Sequence, residues 1–231
     1  MLEETRMSNQ EDSGRKEQNP EVLDFYKQMS RSIMTHNPVN ATEISMLLRE
    51  QTLVIEYKLL QKHCPQGMYV LPIQIQTRAA WHGVYFCRNG PYVGGIFKFQ
   101  IEFPVQYPNC APNVNFLTPV FHPLVNHKNG ELLLERAFAD GAWVPGKHWA
   151  INVLMFLKKI FHLKEYLEPK QDGAIDLNAE VQPAREERWA NKVARDLYKL
   201  DFASFMREVK TCVQKSIDKK YENTGSSPVQ F

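Results

Sequence analysis

From Phe97 to Phe103 the chain alternates strictly: Phe97, Phe99, Ile101 and Phe103 are separated by Lys98, Gln100 and Glu102. Side chains on a strand point to opposite faces with a period of two, so this is a strand with one buried face. Pro104 stops it, and then comes a long stretch, to Trp149, studded with Pro104, Pro108, Pro112, Pro119, Pro123 and Pro145. Proline fixes φ and removes a backbone donor, so spaced prolines hold an irregular segment rigid. Long irregular loops in compact domains are functional or disordered. This one, pinned also by Tyr107, Trp143 and Trp149, is not of the disordered kind. The chain must therefore fold around a half-buried sheet with a rigid, functional loop after it.

The elements around that strand follow from local signals. Met68–Ile75 and Trp81–Cys87 read as two further strands, the second closed by the turn dipeptide Asn89-Gly90, and Val114 and Phe116 begin a fourth. Short connections make an antiparallel meander the natural topology. Before the strands, Asn40 with Glu43 forms a capping-box arrangement at the start of a helix running to about His63, ahead of Pro65 and Gly67. Its expected core stripe is Ile44, Leu47, Leu48, Ile55 and Leu59. After the loop, a helix is expected from about His148 to His162 on Ile151, Leu154, Met155 and Ile160. Two more follow, one opened by Pro183 and carrying Trp189, Val193 and Leu197, the other carrying Phe202, Phe205, Met206, Val209, Val213 and Ile217. The order gives an α+β class: an N-terminal helix, a four-stranded antiparallel meander sheet, a central helix and two C-terminal helices.

Outside this domain, expected over 40–221, residues 1–20 are too polar to offset ordering entropy and read as disordered. Residues 21–39 carry Val22, Tyr26, Met29 and Ile33 at helical spacing, and read as a short amphipathic helix, packed on the domain or on a partner, or as a linker. Residues 222–231 read as a flexible tail.

A net charge of +2 in 231 residues is too small to suggest nucleic acid or an anionic membrane as partner. No stretch approaches the ~20 apolar residues of a transmembrane helix, and the polar N-terminus is no secretory signal. The cysteines Cys64, Cys87, Cys110 and Cys212 are scattered, without a CxxC pair, which points to a reducing, cytoplasmic setting. His122, Asn126 and His127 lack a thiol or carboxylate at ligand spacing, so no metal is expected. Asn89-Gly90 and Asp172-Gly173 are turns, since the phosphate-loop pattern GxxxxGK is absent. No cofactor is implied.

The stretch from Phe103 to Trp149 resembles the ubiquitin-conjugating enzyme family. In that family a strand ends in FPxxYPxxPP, an HPN tripeptide follows, a glycine precedes the catalytic cysteine by three residues, and Trp-x-Pro leads to the central helix. Phe103, Pro104, Tyr107, Pro108 and Pro112 match the first element; His122 and Pro123, Gly130, and Trp143 with Pro145 match the rest. The resemblance spans about Asn40 to Tyr221. It implies the UBC-like fold, and it places Leu133 at the nucleophilic cysteine and Leu124 at the HPN asparagine. Leucine has no nucleophile and no titratable group, so the resemblance implies no catalytic residue and a degenerate site at His122, Pro123, Leu124 and Leu133. None of the four cysteines lies in the loop after His-Pro.

Within the family, the details are similar to the fused-toes/crossbronx/AKT-interacting branch. These are Gly67-Met68-Tyr69-Val70 with Pro72, then Trp81 with Gly83-Val84, then Val120-Phe121-His122-Pro123-Leu124-Val125, Gly130-Glu131-Leu132 and Arg136-Ala137-Phe138. That resemblance implies a non-catalytic adaptor whose partners are Hook-type coiled-coil proteins linking dynein to vesicles, and an Akt-type kinase. Contacts that family members make through extensions beyond the last helix do not carry over, and the loop from Asp140 to Lys147 is less basic than the family's. The alternative is a ubiquitin-conjugating enzyme variant that helps an active enzyme build chains. Those variants generally lack the C-terminal helices that Ala184 to Tyr221 supplies here, and binding of ubiquitin itself stays open.

Overall fold

The strongest local pattern, the alternation at Phe97–Phe103, lies in the middle of the fold. The computed structural model describes residues 41–75, 78–138, 142–163 and 189–220. In order, the elements are α1 (Ala41–His63), β1 (Met68–Ile75), β2 (Arg78–Phe86), β3 (Ile96–Phe103), β4 (Asn113–Phe116), a 3₁₀ turn (Leu134–Ala137), α2 (Ala150–Ile160), α3 (Lys192–Leu200) and α4 (Phe202–Asp218). The sheet is a four-stranded meander in the order β1-β2-β3-β4, all pairs antiparallel. The α+β expectation therefore holds.

The sheet's inner face is aromatic. Phe97, Phe99, Ile101 and Phe103 are buried, and Trp81 packs edge-on to Phe103 with centroids 4.9 Å apart. Gly83 is required by this packing: a Cβ there would lie 2.3 Å from the Phe99 ring, its register partner on β3. Helix α2 covers this face through Val153, Leu154, Phe156, Leu157 and Ile160, and Phe161 stacks on Phe97 at 4.8 Å.

Several element readings need correction. Helix α1 buries Arg49, Thr52, Leu53, Glu56 and Leu60, while Leu47, expected in the stripe, is exposed. The apolar periodicity misled because three of these five buried residues, Arg49, Thr52 and Glu56, are polar. Arg49 Nη1 donates to the Phe103 carbonyl at 3.4 Å. On α2, Met155 is exposed and Ile151 only partly buried. Helix α3 starts at Lys192, capped by the Asn191 side chain on the Ala194 N–H at 3.1 Å, so Trp189 precedes the helix. On α4 the buried face is Phe205, Val209, Cys212 and Ser216, and Phe202 is exposed. The expected segments at 1–20, 21–39 and 222–231, the caps at Asn40 and Pro183, and Asp140 and Asp172 lie outside the described residues.

One polar node joins the elements around the irregular loop. The Glu56 carboxylate, on α1, accepts from the Tyr107 hydroxyl at 2.6 Å and from the Ala150 N–H, in the first turn of α2, at 2.7 Å. Anions suit a helix N-terminus, where backbone donors lack partners. Burial nevertheless dominates and pushes the Glu56 carboxyl up from 4.5 to about 7, the two hydrogen bonds pulling the other way. A folded-state value above the unfolded one favours the native state while the group is protonated. The contribution is complete below pH 4.5 and is lost as pH rises through about 7. Its size is on the order of 3 kcal/mol, at about 1.4 kcal/mol per unit. Glu56→Gln reproduces the protonated pattern, with the amide oxygen facing Ala150 N–H and the amide nitrogen donating to Tyr107. Unfolding free energies measured from pH 5 to 8 should agree within about 1 kcal/mol at pH 5, with the wild type falling below the variant towards pH 8. Parallel curves would refute this assignment.

Candidate functional site

The stretch from Phe121 to Phe138 forms a closed structure against β4. The N–H of Asn126 donates to Glu131 O at 2.8 Å, Gly130 N–H to Asn126 O at 2.9 Å, Phe116 N–H to Gly130 O at 2.8 Å and Leu132 N–H to Val114 O at 2.9 Å. Isolated bridges join Asn115 to Glu131 and Val125 to Leu132. The loop thus adds itself to the edge of the sheet. Gly130 has φ +75°, and a Cβ there would lie 2.2 Å from the Phe116 carbonyl oxygen, so the tight turn and the close approach both need glycine.

The four site positions taken from the sequence come together. His122 is fully buried. Its Nδ1 accepts from the Leu124 N–H at 2.9 Å, which leaves Nε2 as the protonated nitrogen, donating to Ile160 O at 3.0 Å. Burial holds its pKa down to about 3, the bond to Ile160 opposing that shift, so the ring is neutral. Its role is to tie the loop to the end of α2, beside the rings of Tyr92 and Phe161. The Pro123 carbonyl accepts the Asn191 N–H at 3.0 Å, which joins the start of α3 to this loop.

Leu124 is fully buried in the core, and its carbonyl accepts the Leu133 N–H at 2.9 Å. The two positions are therefore neighbours across one backbone hydrogen bond. Leu132 is buried, and Leu133 and Leu134 are partly buried against the core. Neither Leu124 nor Leu133 can donate, accept or titrate through its side chain, and both their backbone N–H groups are already engaged.

The flanks of the site are aromatic. Trp143 Nε1 donates to Pro108 O at 2.7 Å, and Phe138 stacks on His148 at 4.3 Å, which anchors the Trp-x-Pro segment to the Tyr107 segment. The Arg136 guanidinium lies 3.9 Å over the Trp189 ring, a cation–π contact worth ~0.5–1 kcal/mol. Reading Trp189 as a helix residue hid this contact. His127, Lys128 and Asn129 are exposed on the tip of the loop.

The cysteines lie elsewhere in the fold. Cys87 donates to Asn89 O at 3.2 Å, Cys64 to Met68 O at 3.4 Å and Cys212 to Pro119 O at 3.3 Å. Burial pushes all four thiols, Cys110 included, above the ordinary thiol range. A reactive thiol needs the opposite shift. Among the described residues, no three His, Cys, Asp or Glu side chains are grouped to hold a metal ion.

A family model described as "Ubiquitin-conjugating enzyme" matches residues 52–197. The chain belongs to the ubiquitin-conjugating enzyme family. Similar proteins place it in the UBC-like branch of crossbronx and AKT-interacting proteins. A crossbronx homolog of Culex quinquefasciatus is 35% identical over 190 residues, covering 81% of this chain and 73% of that protein. An AKT-interacting protein of Danio rerio is 39% identical over 138 residues, covering 59% of this chain and 44% of that protein. An AKTIP homolog of Nematostella vectensis is 34% identical over 164 residues, covering 71% and 53%. The chain thus spans about half the length of the last two. In this UBC-like chain the motif Val120-Phe121-His122-Pro123-Leu124-Val125 is a core-building segment, buried at all positions except Phe121, which is partly buried.

Two substitutions probe this packing. Leu124→Asn puts an amide where the native side chain is wholly enclosed. It should lower the unfolding free energy by about 2–4 kcal/mol in a denaturant titration, the sum of lost apolar burial and unsatisfied polar groups. Gly130→Ala should also destabilise, by at least about 2 kcal/mol, since it combines a left-handed φ with a backbone clash. Wild-type midpoints for either variant would contradict the geometry.

Proposed function

We propose that this chain is a non-catalytic member of its family, a UBC-like adaptor that works by binding other proteins in the cytoplasm. The observation that carries the reading is the pair Leu124 and Leu133. They occupy the positions the family gives to the asparagine and the cysteine, they are hydrogen-bonded to each other through the backbone, and they contribute apolar surface to the core. Removing an oxyanion donor alone typically costs ~2.7–4 kcal/mol of transition-state stabilisation, and removing the nucleophile abolishes thioester formation. The raised thiol pKa values of Cys64, Cys87, Cys110 and Cys212 argue against a substitute nucleophile.

As partners we infer an Akt-type kinase, which is in keeping with the names of the relatives, and Hook-type coiled-coil proteins that connect dynein to vesicles, which the similarity to the fused-toes branch suggests. Tagged chain recovered from cells at native expression should bring down a Hook-type protein or another trafficking component. Recovery of none would defeat the trafficking reading. Stimulation of a partner enzyme's chain formation would favour the conjugating-enzyme variant instead.

A second outcome concerns chemistry. Leu133→Cys, alone, is expected to give no reducible ubiquitin adduct with activating enzyme and ATP, because Leu124 and its engaged N–H leave no oxyanion donor and the new thiol is half-buried. A thioester on Leu133→Cys would show that the surrounding site is still competent.

A further inference from the structure

Helix α3 and the first turn of α4 carry apolar surface that the domain core does not use. On α3 only Ala194 is fully buried. Val193, Leu197 and Leu200 recur at i, i+4 and i+7 and so lie on one face. Leu197 packs against the core, but Val193 and Leu200 are 63% and 85% exposed, and Phe202, just past the Asp201 cap, is 53% exposed. Single exposed apolar residues are ordinary; here Val193 and Leu200 flank the half-buried Leu197 on one face, and Phe202 extends that patch just past the helix end. Nor is the surface loose. The Phe202 ring stacks on the fully buried Phe205 at 6.1 Å and meets the Tyr198 ring edge-on at 5.8 Å. The surface is thus held in place before any partner arrives, which lowers the ordering cost of binding.

Beside this stripe runs a basic ridge. Lys192 and Lys199 are exposed and seven residues apart, with Arg195 between them; the one acid on the helix, Asp196, is ion-paired to Arg195. Two helical turns set the two lysines about 10.5 Å apart along the axis. Acids one heptad apart on a facing helix have the same spacing.

We propose that this face of α3, continued by Phe202, is the docking surface for an amphipathic helix of a partner protein, one whose apolar stripe is flanked by Glu or Asp. The i, i+4, i+7 spacing is what a helix packed against a helix reads, and the lysine ridge selects for acidic flanks and against basic ones. This rests on the adaptor reading and assigns it a surface.

The test uses the full chain in cells, with a photo-crosslinking phenylalanine derivative replacing Leu200 and, separately, Val193. Mass spectrometry of the crosslinked peptides should return a segment of another protein with a heptad apolar repeat and Glu or Asp beside it. Crosslinks to a second copy, to this chain's own residues, to a basic or non-helical segment, or to nothing at both positions would overturn the proposal. In parallel, Leu200→Asp and the double variant Lys192→Glu/Lys199→Glu change exposed positions and should move the thermal unfolding midpoint little, the double variant giving up only the surface contact of Lys199 with the Trp189 ring at 5.8 Å. Each should reduce recovery of the crosslinked partner at least tenfold, and reversing the partner's facing acids to Lys should restore it for the double variant. If the wild type recovers a partner and both variants recover it unchanged, the surface is wrong while the adaptor reading stands. If the wild type recovers no protein partner, the adaptor reading falls and takes this surface with it.

Discussion

The Glu56 carboxyl holds together parts of the chain that have no ladder of their own. Among the described residues, the stretch between β3 and α2 contains only β4 and a single 3₁₀ turn as regular structure, so scattered backbone bonds and side-chain ties together must position the rest. Glu56 fixes two points of it at once, Tyr107 at the near end and Ala150 at the far end. Trp143 and Pro108 make a third tie between the same two ends. With both ends fixed, the residues between them can form a closed loop on the sheet edge. A buried carboxyl is an expensive way to make such a junction, because its ionised form resists burial. What it provides is geometry: two short hydrogen bonds whose donors come from two different segments.

The consequence for the site is that its shape is fixed by contacts within the fold. His122 bonds to Leu124 N–H and Ile160 O, Gly130 makes the close approach to Phe116, and the Leu124–Leu133 bond closes the loop. Each of these serves folding. Leu124 and Leu133 add apolar surface to a core that already includes Val125, Leu132 and Phe138. The adaptor proposal builds on those two leucines: a scaffold held by apolar packing would act through binding surfaces elsewhere.

Much of this was legible from residue order. The alternation at Phe97–Phe103 and the short turns gave the meander, and the spaced prolines with Tyr107 and Trp143 marked the rigid loop. His122, Pro123, Gly130 and Leu133 were singled out by the resemblance to the family's motif, and the structure brings them together. What remained hidden was hidden for physical reasons. The buried face of α1 includes Arg49, Thr52 and Glu56, which no apolar periodicity can detect; Arg49 and Glu56 are buried against partners far away in sequence, Phe103 O, Tyr107 and Ala150. The late start of α3 depends on the Asn191 side chain capping Ala194 and on its N–H reaching Pro123, a contact far away in sequence. Ser216 passes for a surface residue by type, yet it lies on the buried face of α4, where its hydroxyl accepts the Ile96 N–H at 3.0 Å.

The central claim is that this UBC-like chain cannot carry ubiquitin as a thioester. The direct measurement is to incubate the purified full chain with ubiquitin-activating enzyme, ATP and ubiquitin, and to separate the products without reductant. The account expects no ubiquitin adduct that thiol reductants remove, while an active conjugating enzyme in the same mixture is charged. A reductant-sensitive adduct mapped to Cys64, Cys87, Cys110 or Cys212 would contradict it.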